Sequence, residues 1–123
     1  MMEPKGDDWH VQIVSLVRSC LGQITDNVRL ISLIYLGNRW RIRFVLETDT
    51  ESDRAIIDEI FEDFEVESWN TISAWRTQGS VDFSPAIDLG VDMEVVISAD
   101  EIKYEQTEQV FWLYRRRERH SPS

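Results

Sequence analysis

The chain has 123 residues, 42% of them hydrophobic, and 23 acidic against 13 basic side chains give it a formal net charge of −10. That is apolar material enough for the core of one domain, and too much negative charge for a general phosphate-binding surface, because a field of this sign repels a nucleic-acid backbone. The longest apolar run, LISLIYL, is broken by Ser32 and is far short of membrane-spanning length, and the polar start MMEPKGDDWH has neither the basic nor the apolar region of a secretory signal.

These features lead us to expect a single domain over residues 1–123, with a polar N-terminus (1–8) and a basic C-terminal tail (115–123). Cys20 is the only cysteine, so no internal disulfide is available, and its apolar neighbours point to a buried thiol in a reducing, cytoplasmic setting.

In chain order, residues 9–24 (WHVQIVSLVRSCLGQI) predict a helix: Ile13, Leu16, Val17, Cys20, Leu21 and Ile24 recur at three- and four-residue spacing on one face. Asp7 or Asp8 is expected to cap its start and Gly22 weakens its end. RLISLIYLGNRWRIRFVLE then reads as two strands joined by the dipeptide Gly37-Asn38, a two-residue hairpin loop. That loop fixes the register, with Tyr35 opposite Trp40, Leu33 opposite Ile42 and Ile31 opposite Phe44 on a core face. The other face mixes Arg39, Arg41 and Arg43 with Leu30, Ile34 and Val45. Alternating arginines can read phosphate, but against the field of this chain they are expected to pair with acids on a neighbouring strand, such as Glu94.

The next stretch, TDTESDRAIIDEIFEDFEVES (48–68), predicts a second helix. Thr50 and Asp53 form a variant capping box, and Ile56, Ile57, Ile60, Phe61 and Phe64 make an apolar stripe opposite Asp58, Glu62 and Glu65. Glu65 and Glu67 then sit near the far end, where the helix dipole disfavours them. Residues 68–91, with Gly79, Pro85 and Gly90 and no long periodicity, read as a loop anchored by Trp69, Trp75 and Phe83. DMEVVIS is a third strand with Met93, Val95 and Ile97 on one face, ADEIKYEQTEQ a polar connection, and VFWLYR a fourth strand ahead of the tail RRRERHSPS. The product is an α+β fold, helix-strand-strand-helix-strand-strand, with a four-stranded, largely antiparallel sheet carrying both helices on one face.

Catalytic equipment is sparse. His10 and His120 lie at opposite ends, neither beside a cysteine or a carboxylate pair at metal-ligand spacing, and there is no G-x-S-x-G, Gly-rich phosphate loop or CxxC. From Glu51 to Glu67 eight acids (Glu51, Asp53, Asp58, Glu59, Glu62, Asp63, Glu65, Glu67) face one base, Arg54. A divalent cation needs converging oxygens, whereas carboxylates on a convex helix face diverge into water, so neither a metal nor another cofactor is expected. Two readings remain, a solvated face or a surface for a basic protein. A second acidic group, Asp100, Glu101, Glu105 and Glu108, between the last two strands favours the surface, since an inhibitor of a cationic nuclease gains steering from carboxylates.

The segment LGQITDNVRLISLIYLGNRWRIRFVLETDTESDRAIIDEIFEDFE, followed by DMEVVIS and VFWLYRRRE, resembles a family of small bacterial proteins over roughly two-thirds of the chain. Its pattern is a helix ending in L-G-x-I, an N-x-R-x-I strand, a K/R-I-R-F strand, an acidic helix of the D-x-I-x-E-F type and an aromatic-rich last strand. These are immunity proteins of polymorphic toxin systems, including contact-dependent growth inhibition. The resemblance implies a cytoplasmic, non-enzymatic protein, monomer or homodimer, that binds and neutralises one cognate toxin. We therefore expect occlusion of a basic toxin domain, a nuclease, with no nucleic-acid or membrane partner. The expected contacts are Asp58, Glu62 and Glu65 on the helix, Glu101, Glu105 and Glu108 on the late loop, and Trp69 and Trp75 as aromatic anchors. The alternative is an adaptor or chaperone unrelated to toxins that uses the same surfaces.

Overall fold

The computed structural model describes residues 3–98 and 109–116. The elements are α1 (Gly6–Cys20), β1 (Val28–Tyr35), β2 (Trp40–Leu46), α2 (Glu51–Gln78), a 3₁₀ turn (Pro85–Asp88), β3 (Val91–Ile97) and β4 (Gln109–Arg115). They follow the expected helix-strand-strand-helix-strand-strand order. The sheet is ordered β3-β2-β1-β4, antiparallel at β1–β2 and β1–β4 and parallel at β2–β3, with α2 as the crossover.

The hairpin has the register its loop dictates: Tyr35 pairs with Trp40, Leu33 with Ile42 and Ile31 with Phe44. Gly37 supplies the positive φ (93°) and Asn38 does not need one, the two-residue turn with glycine first. Leu36 N–H closes the loop on Arg39 O at 2.9 Å.

The helix-facing side of the sheet holds Ile31, Leu33, Trp40, Ile42, Phe44 and Leu46, packed against Leu16 and Cys20 of α1 and Ile57, Ile60 and Phe64 of α2. Each such side chain contributes about 2 kcal/mol by leaving water. Trp40 is fully buried, meets Trp9 edge-on at 5.0 Å and donates its indole N–H to Ala86 O at 2.9 Å. The opposite face is less polar than its alternation suggests, because Leu30, Ser32, Ile34 and Val45 are buried as well, leaving β1 covered along its whole length.

Two buried carboxyl groups pin the helix starts. Asp8, fully buried, accepts from Lys5 N at 2.8 Å and so ties down the entry to α1. It also accepts from Ser84 N at 2.9 Å and from the Ser84 hydroxyl. Ser84 in turn accepts from Ala86 N at 3.1 Å, which docks the 3₁₀ turn on α1. At α2, Thr50 caps the start by accepting from Asp53 N at 3.1 Å. The Asp53 carboxylate collects the hydroxyls of Thr50 (2.6 Å) and Thr25 (2.8 Å) and the amide of Asn27 (2.8 Å), joining the β1 entry loop to the helix.

Three expectations are corrected. Helix α1 begins at Gly6 with Lys5 as its N-cap, so neither Asp7 nor Asp8 is the capping residue; Asp8 is the third helical residue, and its carboxylate accepts from Lys5 N. Helix α1 stops at Cys20 and Gly22 turns at φ +75°, so Leu21 and Ile24 leave the core stripe and are exposed, with Val17 beside them. Residues 68–78 are helical, not a loop: α2 runs 28 residues to Gln78 and ends on Gly79 in the left-handed region. Phe64, Thr71, Ile72 and Trp75 continue its inward face at helical spacing, and Ile72 joins Val11, Ile87, Trp75 and Phe83 in a second, smaller cluster. Glu65 and Glu67 are therefore mid-helix, and the last turn carries Arg76, as the dipole prefers.

Candidate functional site

The charged side chains fall into two groups. On the sheet, Arg39 and Arg41 both reach Asp92 (3.2 and 2.7 Å) and Arg43 reaches Glu94 at 2.9 Å, so these arginines are paired with acids of β3 as expected. The parallel register places Arg41 beside Asp92 and Arg43 beside Glu94. The guanidinium of Arg41, then that of Arg39, holds the Asp92 carboxyl below its ordinary pKa.

On α2 the balance differs. Arg54 is engaged by Asp49 at 2.5 Å, and Glu67 lies 3.9 Å from Arg18 of α1. Asp58, Glu59, Glu62, Asp63 and Glu65 are all exposed, and none makes an ion pair among the described residues. Asp58, Glu62, Glu65 and Trp69 follow one another at four-, three- and four-residue steps, which puts them on one face of the helix. Trp69 is 73% exposed and Val66, beside it, 61%. A rigid 28-residue helix thus displays a row of carboxylates ending in an indole. Val66 was not singled out from the sequence; the exposed side of the helical period carried its signal.

The other sequence candidates separate. Trp75 is half-buried, stacked on Phe83 (6.5 Å between centroids, planes at 5°) and 5.2 Å from the His10 ring, where it closes the second cluster. Glu101, Glu105 and Glu108 lie outside the described residues, as do His120 and most of the basic tail. Arg116, at the start of that tail, is tied to the sheet by donating to Asp26 O (2.7 Å) and to Glu47 (3.3 Å).

Cys20 is buried, and burial pushes its thiol up to about 11, away from the thiolate a nucleophile requires. His10, exposed and ten residues earlier on α1, is about 15 Å distant along the axis. Among the described residues no group of three His, Cys, Asp or Glu side chains converges to hold a metal ion. No helix among them is long and apolar enough to cross a membrane.

Carboxylates diverging from a rigid helix beside exposed apolar side chains form a surface suited to another protein, not a pocket for a small molecule. By its fold the chain is an α+β protein with a four-stranded mixed sheet and two helices. The model of the MafI2 immunity protein family matches residues 11–118, and the chain belongs to that family. It is thereby placed among the immunity proteins of toxin systems, as the resemblance in its sequence implied. A search of curated proteins found no match to the chain.

Proposed function

We propose that this MafI2 family protein neutralises one cognate toxin, a cationic nuclease domain, by binding it through the outer face of α2 and occluding its substrate groove. The observation that carries the reading is the row of exposed carboxylates Asp58, Glu62 and Glu65, which form no ion pair among the described residues, flanked by Glu59 and Asp63 and leading to the exposed Trp69. Nucleases present basic grooves to phosphate, and carboxylates arrayed on a helix complement such a groove, speed encounter and repel nucleic acid from the same site. Trp69 supplies what the carboxylates lack, a large apolar area at a low cost in side-chain entropy, and anchors the contact. Glu101, Glu105 and Glu108 are further toxin contacts in this proposal, while Trp75, packed with Ile72 and Phe83, supports the helix.

The test is co-expression with the toxin encoded beside the immunity gene, scored by growth rescue and by stopped-flow association. The Glu62→Lys, Glu65→Lys double variant is expected to associate at least about tenfold more slowly, with a flatter salt dependence, because steering is lost. Trp69→Ala is expected to weaken the complex about 30-fold, chiefly through faster dissociation, as for the loss of an interface anchor worth about 2 kcal/mol. Unchanged rescue, association and dissociation in both variants would remove α2 from the interface.

A further inference from the structure

Strand β3 is an edge of the sheet, paired in parallel with β2. Gly90 O accepts from Trp40 N and Ser98 N donates to Leu46 O, both at 2.8 Å. In a parallel ladder alternate residues turn both backbone groups to the same neighbour, so the even-numbered residues of β3 serve β2. Val91, Met93, Val95 and Ile97 therefore direct N–H and C=O out of the sheet, where none meets a partner among the described residues. Ile97 is 41% exposed. The acidic row of α2 overhangs this edge. Glu67 faces α1 through Arg18, and Glu65 and Trp69 each stand two residues from it, about 200° around the helix, on the flank away from α1. Helix α1 packs toward the opposite edge, where Val17, Cys20 and Leu21 line a cleft with Leu113 and Tyr114 of β4. The flank that carries Asp58, Glu62, Glu65 and Trp69 thus lies on the β3 side. Arg76, on the same flank, reaches Asp88 at 3.0 Å in the turn that leads into β3.

We infer that β3 takes an extended segment of the toxin as a fifth strand, with lysine or arginine at its helix-facing positions. This mode of contact rests on the proposal that the partner is a cationic toxin. The outward backbone groups of β3 pair with any extended chain, and the side chains around them select which one. On the helix side, Asp58, Glu62 and Glu65 make no ion pair among the described residues and receive cationic heads, whose stems lie along Met93 and Val95. On the other face Asp92 and Glu94 are already paired with Arg39, Arg41 and Arg43, so no charge is called for there. A second copy of the chain has the wrong sign, because pairing β3 with itself lays one acidic row beside another and joins two chains of net charge −10.

Amide hydrogen exchange read by NMR, on the full chain alone and with the toxin encoded beside its gene, tests the contact. The amides of Val91, Met93, Val95 and Ile97 are expected to exchange freely in the chain alone and at least about tenfold more slowly in the complex. Val95→Pro removes an outward N–H and no bond to β2, which an edge strand tolerates, and Ile97→Pro does the same at an exposed position. Each variant, its fold checked by circular dichroism, should weaken the complex at least about tenfold. Should Val95→Pro fail to fold, Ile97→Pro and the exchange rates decide. Slow exchange of these amides in the chain alone, free exchange in the complex, or a complex untouched by the folded proline variants would overturn the inference. If Glu62→Lys with Glu65→Lys still slows association in that last case, the reading of α2 stands without the added strand. Edge protection in a complex indifferent to those lysines would sink the reading of α2 and uphold the added strand.

Discussion

The carboxyl groups held inside this protein and those displayed on α2 share a chemistry but differ in what surrounds them. Asp8 and Asp53 are each surrounded by donors, three apiece, drawn from segments far apart in sequence. Asp58, Glu62 and Glu65 are exposed and accept no hydrogen bond from a described side chain. A buried acceptor is costly to disturb because its donors lose their only partners, while an exposed one is nearly free to change. The two sets should therefore answer to different measurements, the inner one to stability and the outer one to association.

The largest expected effect is at Asp8. Replacement by Ala strands Lys5 N, Ser84 N and the Ser84 hydroxyl, and loosens the 3₁₀ turn that receives the Trp40 indole. Losing several buried hydrogen bonds at once should cost about 3 kcal/mol, read as a lower denaturant midpoint at unchanged slope. A loss below about 0.5 kcal/mol would mean that the bonds from Ser84 add nothing, and the distinction between inner and outer carboxyls would lose its strongest case.

Asp53→Asn comes next, at about 1 to 2 kcal/mol near neutral pH, because an amide cannot accept from all three donors. Here pH sharpens the contrast. The hydroxyl of Thr50 and then that of Thr25 hold Asp53 below the ordinary aspartate pKa, against the opposing effect of burial and with help from Asn27. A group whose folded pKa is depressed contributes its stability in full above the unfolded value of about 3.9, and loses it as pH falls through the lower folded value. The stability gap between wild type and Asp53→Asn should therefore be constant at neutral pH and shrink below about pH 4. Paired unfolding curves at several pH values check this, and a gap that widens with acid would contradict the assignment.

Local chemistry made much of this fold legible. The hairpin register followed from two residues, Gly37 and Asn38, and the stripe from Ile56 to Phe64 followed from its period. What the sequence obscured was either diluted or distant. The last eleven residues of α2 carry Ser68, Asn70, Thr71, Ser73 and Thr77, weak helix formers that blur the spacing of Phe64, Ile72 and Trp75. Val17, Leu21 and Ile24 kept the helical period although the helix ends at Cys20, so periodicity alone sent them to the core. The bonds from Ser84 to Asp8 span 76 residues and leave no local trace. Of the surface residues, Trp69 was visible as a type but not as exposed, since exposure depends on which side of an unexpectedly long helix it occupies.

The smallest expected effect on stability is the most informative about function. Glu62→Gln with Glu65→Gln removes two negative charges from a row of like charges and touches no hydrogen bond among the described residues. Stability should change by less than about 0.5 kcal/mol, and relief of repulsion along the helix makes a slight gain the favoured sign. Association with the toxin should nonetheless slow several-fold at low salt, because steering reads charge and not shape. Neutral variants thus separate the two properties more cleanly than charge reversal, which adds repulsion of its own. If these glutamines cost more than about 1 kcal/mol of stability, the carboxylates have partners within the fold and the outer face is structural after all.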